Sequence, residues 1–106
     1  MARTLITVPR NARRSEVIEL RTLIAHPMES GFRVDSQGRT QPRDILRRFS
    51  CRLDGELVFS AELHPAIAAN PVIVFHLLAT QSGTLSFTWE GDNGFAQTES
   101  AALVVV

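Results

Sequence analysis

The sequence RRFSCRLDGELVFSAEL, residues 47–63, contains two runs in which apolar and polar residues alternate, separated by Asp54-Gly55. Alternation with a period of two is typical of strands that bury one face, and Asp-Gly between two such runs is a strong turn signal. These residues therefore predict a β-hairpin, with Phe49 and Cys51 on the buried face of its first strand.

The length of the hairpin loop depends on which side chains share a face. A two-residue turn would place Phe49 and Cys51 on the opposite face from the apolar residues of the second strand. A three-residue loop over residues 53–55 keeps the apolar residues of both strands together and sets Arg52 opposite Glu56. We therefore expect the three-residue loop, with Gly55 at a positive φ.

Five further segments have the composition and alternation of strands. They are Thr4–Val8, Glu16–Ala25, Val72–Leu78, Thr84–Glu90 and Phe95–Val106. The predicted inward residues are Ile18, Leu20, Thr22, Ile24, Ile73, Phe75, Leu77, Leu85, Phe87 and Trp89, whereas the inward face of the last segment is not assigned. The expected fold is all-β, an immunoglobulin-like β-sandwich of about seven antiparallel strands, in a single domain over residues 1–106.

The charges are divided unevenly along the chain. Residues 1–53 hold all eleven basic residues, every one an arginine, and five acids, a net charge of +6; residues 54–106 hold six acids and no arginine, a net charge of −6. Pairing between strands of the two halves would interleave the signs. The zero total, and the lack of aromatic residues among the arginines, argue against nucleic-acid binding. No apolar run approaches the roughly 20 residues of a membrane span, and we expect no secretory signal.

The residues that usually carry chemistry are not grouped in recognisable motifs. His26, His64 and His76 fall on different predicted elements without metal-ligand spacing. Gly-rich phosphate loops, nucleophile elbows and paired-carboxylate signatures are absent from the sequence. The pattern favours a binding or scaffold domain that uses no cofactor and no metal, rather than an enzyme.

Cys51 is the one cysteine, so it forms no disulfide within the chain. A free cysteine on the inward face of a strand is typically a small buried hydrophobe. Two alternatives remain open at this point: a reactive thiol, with His26 or His64 as its base, and a bridge to another subunit.

A long polar segment, residues 27–44, separates the second predicted strand from the hairpin, and connections of this length are usually functional or mobile. Six arginines lie between residues 33 and 52, against two acids. Guanidinium groups bind carboxylates and sulfur or phosphorus oxyanions, although a solvated charged loop together with one outward sheet face is the simpler interpretation. Apolar side chains on such a loop either fold back on the core or contact a partner. The candidate partner-binding or anion-binding residues are His26, Met28, Glu29, Phe32, Arg33, Arg43, Arg47 and Cys51.

The order and spacing of several short motifs resemble one known family. The motifs are His26-Pro27-Met28-Glu29-Ser30-Gly31, Arg33, Asp35, Gly38, Pro42-Arg43, Ile45, Phe49-x-Cys51, Asn70-Pro71 and Phe87-Thr88-Trp89. From about Val8 to its end, the chain resembles the Z subunits of the sulfur-oxidation (Sox) carrier complex.

This resemblance implies an immunoglobulin-type sandwich that forms a heterodimer with a Y subunit in the periplasm. In that family the sulfur intermediate of thiosulfate oxidation is carried on a cysteine in the Y subunit's Gly-Gly-Cys-Gly tail, whereas this chain ends Ala-Ala-Leu-Val-Val-Val. The resemblance therefore implies a non-catalytic subunit, exported with its Y partner rather than by its own signal peptide.

The resemblance also implies transient contacts with other Sox enzymes. It leaves room for self-association of the isolated chain and for a mixed disulfide between Cys51 and the Y subunit. The alternatives from the residues alone are a stand-alone oxyanion-binding module and a redox protein based on Cys51.

Overall fold

The alternating segments of the sequence form seven β-strands in the computed structural model, which describes residues 2–106. No α-helix occurs in these residues; a single 3-10 turn follows the sixth strand. The strands are β1 (Thr4–Thr7), β2 (Val17–Ile24), β3 (Leu46–Leu53), β4 (Glu56–Glu62), β5 (Val72–Leu78), β6 (Gly83–Gly91) and β7 (Ala96–Leu103), and the turn is Asp92–Gly94.

The strands form two antiparallel sheets, one of three strands in the order β1-β2-β5 and one of four in the order β4-β3-β6-β7. The inner faces enclose one apolar core. This arrangement confirms the predicted immunoglobulin-like β-sandwich. Because β2 pairs with β5 and β3 with β6, strands of the positive and negative halves of the chain lie side by side, as expected.

The core contains the residues that alternation places inward. The predicted inward side chains of β2, β5 and β6 are all buried or partly buried. Phe49 of β3 is fully buried, and its ring lies 5.4 Å from that of Trp89 and 5.8 Å from that of Phe75 (centroid to centroid). Since Phe75 belongs to the other sheet, Phe49 connects the two layers. In β7, Gln97 and Leu103 are the buried residues.

The hairpin between β3 and β4 differs from the prediction at its turn. Leu53 pairs with Glu56, so the loop is the two-residue turn Asp54-Gly55 and not the expected three-residue loop. Both turn residues have positive φ, 49° at Asp54 and 87° at Gly55, as in a type I′ turn. The positive φ predicted at Gly55 is confirmed, but the predicted register is wrong.

A β-bulge in β4 explains how a two-residue turn is compatible with the buried face. Arg52 pairs with Leu57 but Cys51 pairs with Phe59, which leaves Val58 as the extra residue. Beyond the bulge, Phe59 lies on the same face as Cys51, as predicted, whereas Leu57 lies on the outer face beside Arg52 and is exposed. The bulge therefore brings Phe59 to the face of Cys51, as the three-residue loop was expected to do, but it leaves Leu57 outside the core.

The molecule is elongated, measuring 58 Å by 20 Å by 20 Å, with a radius of gyration of 16.1 Å. A compact chain of this length has a radius of gyration of about 13 Å. The longest strand has nine residues and spans only about 30 Å, so the remaining length lies in the connections at the two ends of the sandwich. Within residues 2–106, no helix is long and apolar enough to cross a bilayer.

Candidate functional site

Residues 27–44, called the arm below, project from one end of the sandwich and carry most of the candidate residues. Glu29 and Asp44 exchange backbone hydrogen bonds of 2.8 Å in both directions, which closes the base of the arm. Further out, Val34 and Thr40 form a second antiparallel bridge. The arm is therefore a folded, two-legged structure rather than an irregular loop.

The carboxylate of Asp35 closes the tip of the arm. It accepts hydrogen bonds from the backbone N–H groups of Gln37 (2.8 Å) and Arg39 (2.9 Å) and from the side-chain amide of Gln41 (3.1 Å). The bond from Arg39 is the main reason why the pKa of Asp35 is lowered. Residues 35–38 form a turn in which the Gly38 N–H donates to the Asp35 carbonyl at 3.1 Å and Gly38 has a φ of 79°.

His26 anchors the base of the arm from inside the protein. Its side chain is buried, and its Nδ1 atom accepts a 3.0 Å hydrogen bond from the backbone N–H of Met28. Its ring meets that of Phe95 edge-on at 5.5 Å, and its Nε2 atom lies 3.7 Å from Asp44. Burial lowers the pKa of His26 more than Asp44 and Asp92 raise it. The ring is therefore a neutral acceptor that holds the backbone in place.

The two apolar candidates of the arm have opposite environments. Met28 is buried, with a φ of 49°, and its sulfur accepts a 3.2 Å hydrogen bond from the backbone N–H of Leu46. Phe32 is 85% exposed. The sequence left both positions open; the structure places Met28 in the core and leaves only Phe32 available to a partner.

Asp92, which the sequence analysis did not select, connects the arm to the sandwich. Its carboxylate accepts two hydrogen bonds from Arg43, from Nε at 2.8 Å and Nη2 at 2.9 Å, and one from the backbone N–H of Ile45 at 3.1 Å. Arg47 lies 3.4 Å away. The bond with Arg43 is the main cause of the lowered pKa of Asp92.

Asp92 is held in place by a close backbone contact. Its N–H donates to the carbonyl of Ile45 at 2.9 Å. Just before it, a Cβ at Gly91 would lie 2.6 Å from the same carbonyl oxygen, so only glycine fits where β6 meets β3. An acid beside a glycine in a turn after a buried strand was the available signal in the sequence.

The remaining candidates of the arm also form an ion pair. Arg33 donates to Glu29 from Nε at 3.0 Å and from Nη2 at 2.7 Å. Three of the candidate arginines are thus matched to carboxylates, Arg33 to Glu29 and Arg43 with Arg47 to Asp92. A dedicated oxyanion site requires guanidinium groups that are not already occupied, and these three are occupied.

Cys51 lies apart from the arm. It is fully buried in the middle of β3, between Phe59 of β4 and Phe87 of β6. It is five residues from Leu46, where β3 meets the arm, a separation of roughly 15 Å along the strand. Burial raises the pKa of its thiol to about 11, so the reactive thiolate form is disfavoured.

The histidines do not converge with each other or with Cys51. His64 and His76 are exposed, and His76 lies 3.9 Å from Glu19 on the outer face of the three-stranded sheet. Across the described chain, no three histidine, cysteine or acidic side chains are grouped so as to hold a metal ion. No pocket is found in residues 2–106 either.

Comparison with known sequences identifies the family of the chain. The family model described as "Sulphur oxidation protein SoxZ" matches residues 6–102, which is nearly the whole chain. The chain belongs to the SoxZ family. This membership places it in the Sox sulfur-oxidation system and confirms the resemblance stated from the sequence. A search of curated proteins finds no significant match.

Several solved structures share the fold of this SoxZ-family chain. The sulfur carrier protein SoxY from Chlorobium limicola f thiosulfatophilum superposes with a TM-score of 0.68 at 12% identity, over 97% of this chain and 78% of that chain. A superoxide reductase (neelaredoxin) from Ignicoccus hospitalis gives 0.73 at 14% identity, over 99% and 82%. A putative superoxide reductase from Thermotoga maritima gives 0.72 at 14% identity, over 97% and 85%. At these identities the likeness shows the fold alone.

Proposed function

We propose that this chain is the non-catalytic subunit of a periplasmic heterodimer in which a SoxY-type partner carries the sulfur intermediate of thiosulfate oxidation. The observation that carries the proposal is the match to the SoxZ family over residues 6–102. In this proposal, the chain stabilises the SoxY-type partner and helps to present the partner's carrier cysteine to the other Sox enzymes.

The chemistry of the chain supports a carrier role that depends on another subunit. Its one thiol, Cys51, is inaccessible and has a pKa of about 11, so it is poorly suited to bind and release sulfur compounds. The folded arm instead adds to the surface of the sandwich, with Phe32 exposed on it. These features favour a subunit that acts through contacts with proteins.

The same features argue against the two alternatives drawn from the sequence. A redox protein based on Cys51 requires access to the thiol, and a stand-alone oxyanion module requires arginines that are not already paired. Alkylation of the native chain with iodoacetamide tests the first, and calorimetric titration with thiosulfate tests the second. We expect Cys51 to react only after unfolding, and no heat of binding from thiosulfate.

Co-expression tests the heterodimer directly. The chain is produced with an affinity tag, together with the SoxY-type subunit of the same genome, and the purified product is measured by size-exclusion chromatography with light scattering. We expect a stable complex with one copy of each subunit. A tagged chain that purifies without the SoxY-type subunit, at concentrations where both are folded, would overturn the proposal.

The proposed location has its own experiment. The chain is expressed in a Gram-negative host with and without the SoxY-type subunit, and the periplasm is separated from the cytoplasm. We expect the chain in the periplasmic fraction only when the partner and its export signal are present. Equal distribution in both cultures would show that export does not depend on the partner.

A further inference from the structure

The outer face of the three-stranded sheet is unusually apolar. Six hydrophobic side chains point outward from it, in a group called the apolar face below: Leu5, Val17, Leu23, Val72, Val74 and Leu78. Strand pairing brings them into rows: Leu5, Leu23 and Val72 lie side by side across all three strands at one end of the sheet. Leu5 is 64% exposed and Val72 51%.

The other end of the apolar face forms a second row. Val17 of β2 pairs with Leu78 of β5, and both are at least half exposed. Single hydrophobic residues on a surface are ordinary, but rows of apolar residues, one of them crossing all three strands, are typical of a surface that contacts another protein.

The outer face of the four-stranded sheet is very different. Its central rows carry hydroxyl side chains, in a group called the hydroxyl face below: Ser50, Ser60, Thr84, Ser86, Thr88, Thr98 and Ser100. Within it Thr88 and Thr98 hydrogen-bond each other at 2.9 Å. The two sheets share one core, so the contrast between their outer faces reflects what each face contacts rather than what the fold requires.

A polar strip crosses the middle of the apolar face. Glu19 lies 3.6 Å from Arg21 and 3.9 Å from His76. One carboxylate and one guanidinium leave the strip without net charge when His76 is neutral. A neutral, mainly apolar face is suited to a protein surface of the same kind, and not to nucleic acid or to anionic lipid.

The outer face of the three-stranded sheet, with the apolar residues and the polar strip together, has the size of the centre of a stable interface. Eight residues of β2 and three strands give a footprint of about 27 Å by 15 Å, or roughly 400 Å². Stable complexes bury about 800 Å² per partner, with an apolar centre and a polar rim. The apolar face would supply the centre, and the adjoining loops the rim.

We propose that the apolar face is the docking surface for the SoxY-type subunit. This inference rests on the proposed function. SoxY itself has the fold of this chain, since the two superpose over 97% of this chain with a TM-score of 0.68. A partner with the same fold has a sheet of similar size and twist, so two outer faces pack against each other about a pseudo-twofold axis.

Charge insertion into the apolar face tests the proposal. Val74→Glu and Leu78→Glu are each introduced into the co-expressed pair, and the dissociation constant of the heterodimer is measured. Because a carboxylate buried without a partner in an apolar interface carries a large desolvation penalty, we expect each variant to weaken binding by about thirtyfold or more, which corresponds to about 2 kcal/mol. The milder Val74→Ser should weaken it less, and reports on the same site if a glutamate variant folds poorly.

Two controls make the result specific. Ser100→Glu places the same new charge on the exposed hydroxyl face of the opposite sheet, and binding should change by less than about twofold. Emission of the single tryptophan, the fully buried Trp89, reports whether each variant retains the native core.

The outcomes separate the two proposals. If the wild-type chain forms no heterodimer, the proposed function fails. If the heterodimer forms, Val74→Glu and Leu78→Glu bind normally, and Ser100→Glu or Phe32→Ala weakens the complex, the proposed function stands. Only the assignment of the docking surface is then wrong. A third outcome is that the isolated chain forms a homodimer that Val74→Glu abolishes and that the SoxY-type subunit does not displace. A second copy of this chain would then occupy the apolar face, and this result would also overturn the docking assignment.

Discussion

The core between the two sheets and the end of the sandwich that carries the arm are stabilised by different kinds of contact. In the core, aromatic rings from both sheets surround Phe49. Within residues 2–106, the only buried side-chain nitrogen or oxygen without a hydrogen-bond partner is the indole N–H of Trp89. At the arm end, the contacts are ion pairs and hydrogen bonds centred on Asp92 and His26. The core should therefore dominate global stability, whereas the arm end should respond to charge and pH.

Phe49→Ala should produce the largest effect. The side chain is fully buried and joins the two layers, so its removal leaves a cavity in a close-packed core. We expect a loss of about 3–5 kcal/mol in the free energy of unfolding, measured by urea denaturation with tryptophan fluorescence. A loss below about 1 kcal/mol would show that the sheets repack into the cavity and that Phe49 contributes little to the stability of the core.

Asp92→Ala should have the next largest effect, and a local one. It removes the shared acceptor of Arg43, Arg47 and the Ile45 N–H, so the arm loses its attachment to the sandwich. Trypsin cleaves after arginine, and we expect cleavage within the arm to become several-fold faster. The sandwich itself should unfold at a similar urea concentration.

The matched control for this variant is at the opposite end of the molecule. The carboxylate of Asp54 accepts a 2.9 Å hydrogen bond from the backbone N–H of Thr84. Asp54→Ala therefore also removes a carboxylate that caps backbone, but it should leave cleavage of the arm unchanged. Equal acceleration in both variants would mean that the arm opens only when the whole domain loosens.

The regular part of this fold was predictable because a strand with one buried face shows its period locally. The inward residues of β2, β5 and β6 followed from alternation alone. The β3–β4 register did not, because a two-residue turn with a bulge at Val58 and a three-residue loop without one both place Cys51 and Phe59 on the same face. Only packing distinguishes these two solutions.

The arm end was less predictable because its contacts join residues far apart in the sequence. Asp92 binds Arg43 across 49 positions, and His26 binds Asn70 across 44. The sequence indicated that residues 27–44 matter and that arginines are concentrated there. It could not show that acids pair with Arg33 and Arg43, or that Met28 turns inward while Phe32 does not.

The response to pH should come next in size, and His26 sets its direction. Burial lowers the pKa of His26 below 6.5, the value in the unfolded chain, so the unfolded state takes up a proton first. Protonation would also turn Nδ1 into a donor facing the Met28 N–H. The stability contributed by His26 is therefore complete above pH 6.5 and decreases as the pH falls below it.

Comparison of variants isolates this contribution from those of Asp44 and Asp92, which face the same ring. We expect the urea concentration at the unfolding midpoint of the wild type to decrease when the pH is lowered from 7.5 to 5.5. The decrease should be smaller in His26→Asn. His64→Gln, at an exposed position, should retain the wild-type slope. If His26→Asn also retains it, the buried imidazole is not what makes the arm end sensitive to acid.

Phe32→Ala should have the smallest effect on the isolated chain, and it is the sharpest counterpart to Phe49→Ala because the substitution is the same. With 85% of its surface already exposed, Phe32 loses little burial when the ring is removed, so the unfolding free energy should change by less than about 0.5 kcal/mol. Measured in the same urea experiment, a larger loss would mean that the ring packs against the arm in solution, and that the arm is stabilised by apolar contacts as well as polar ones. A negligible loss would show that the Phe32 side chain does not contribute to the free energy of unfolding. This result would support a role for Phe32 in contact with another protein.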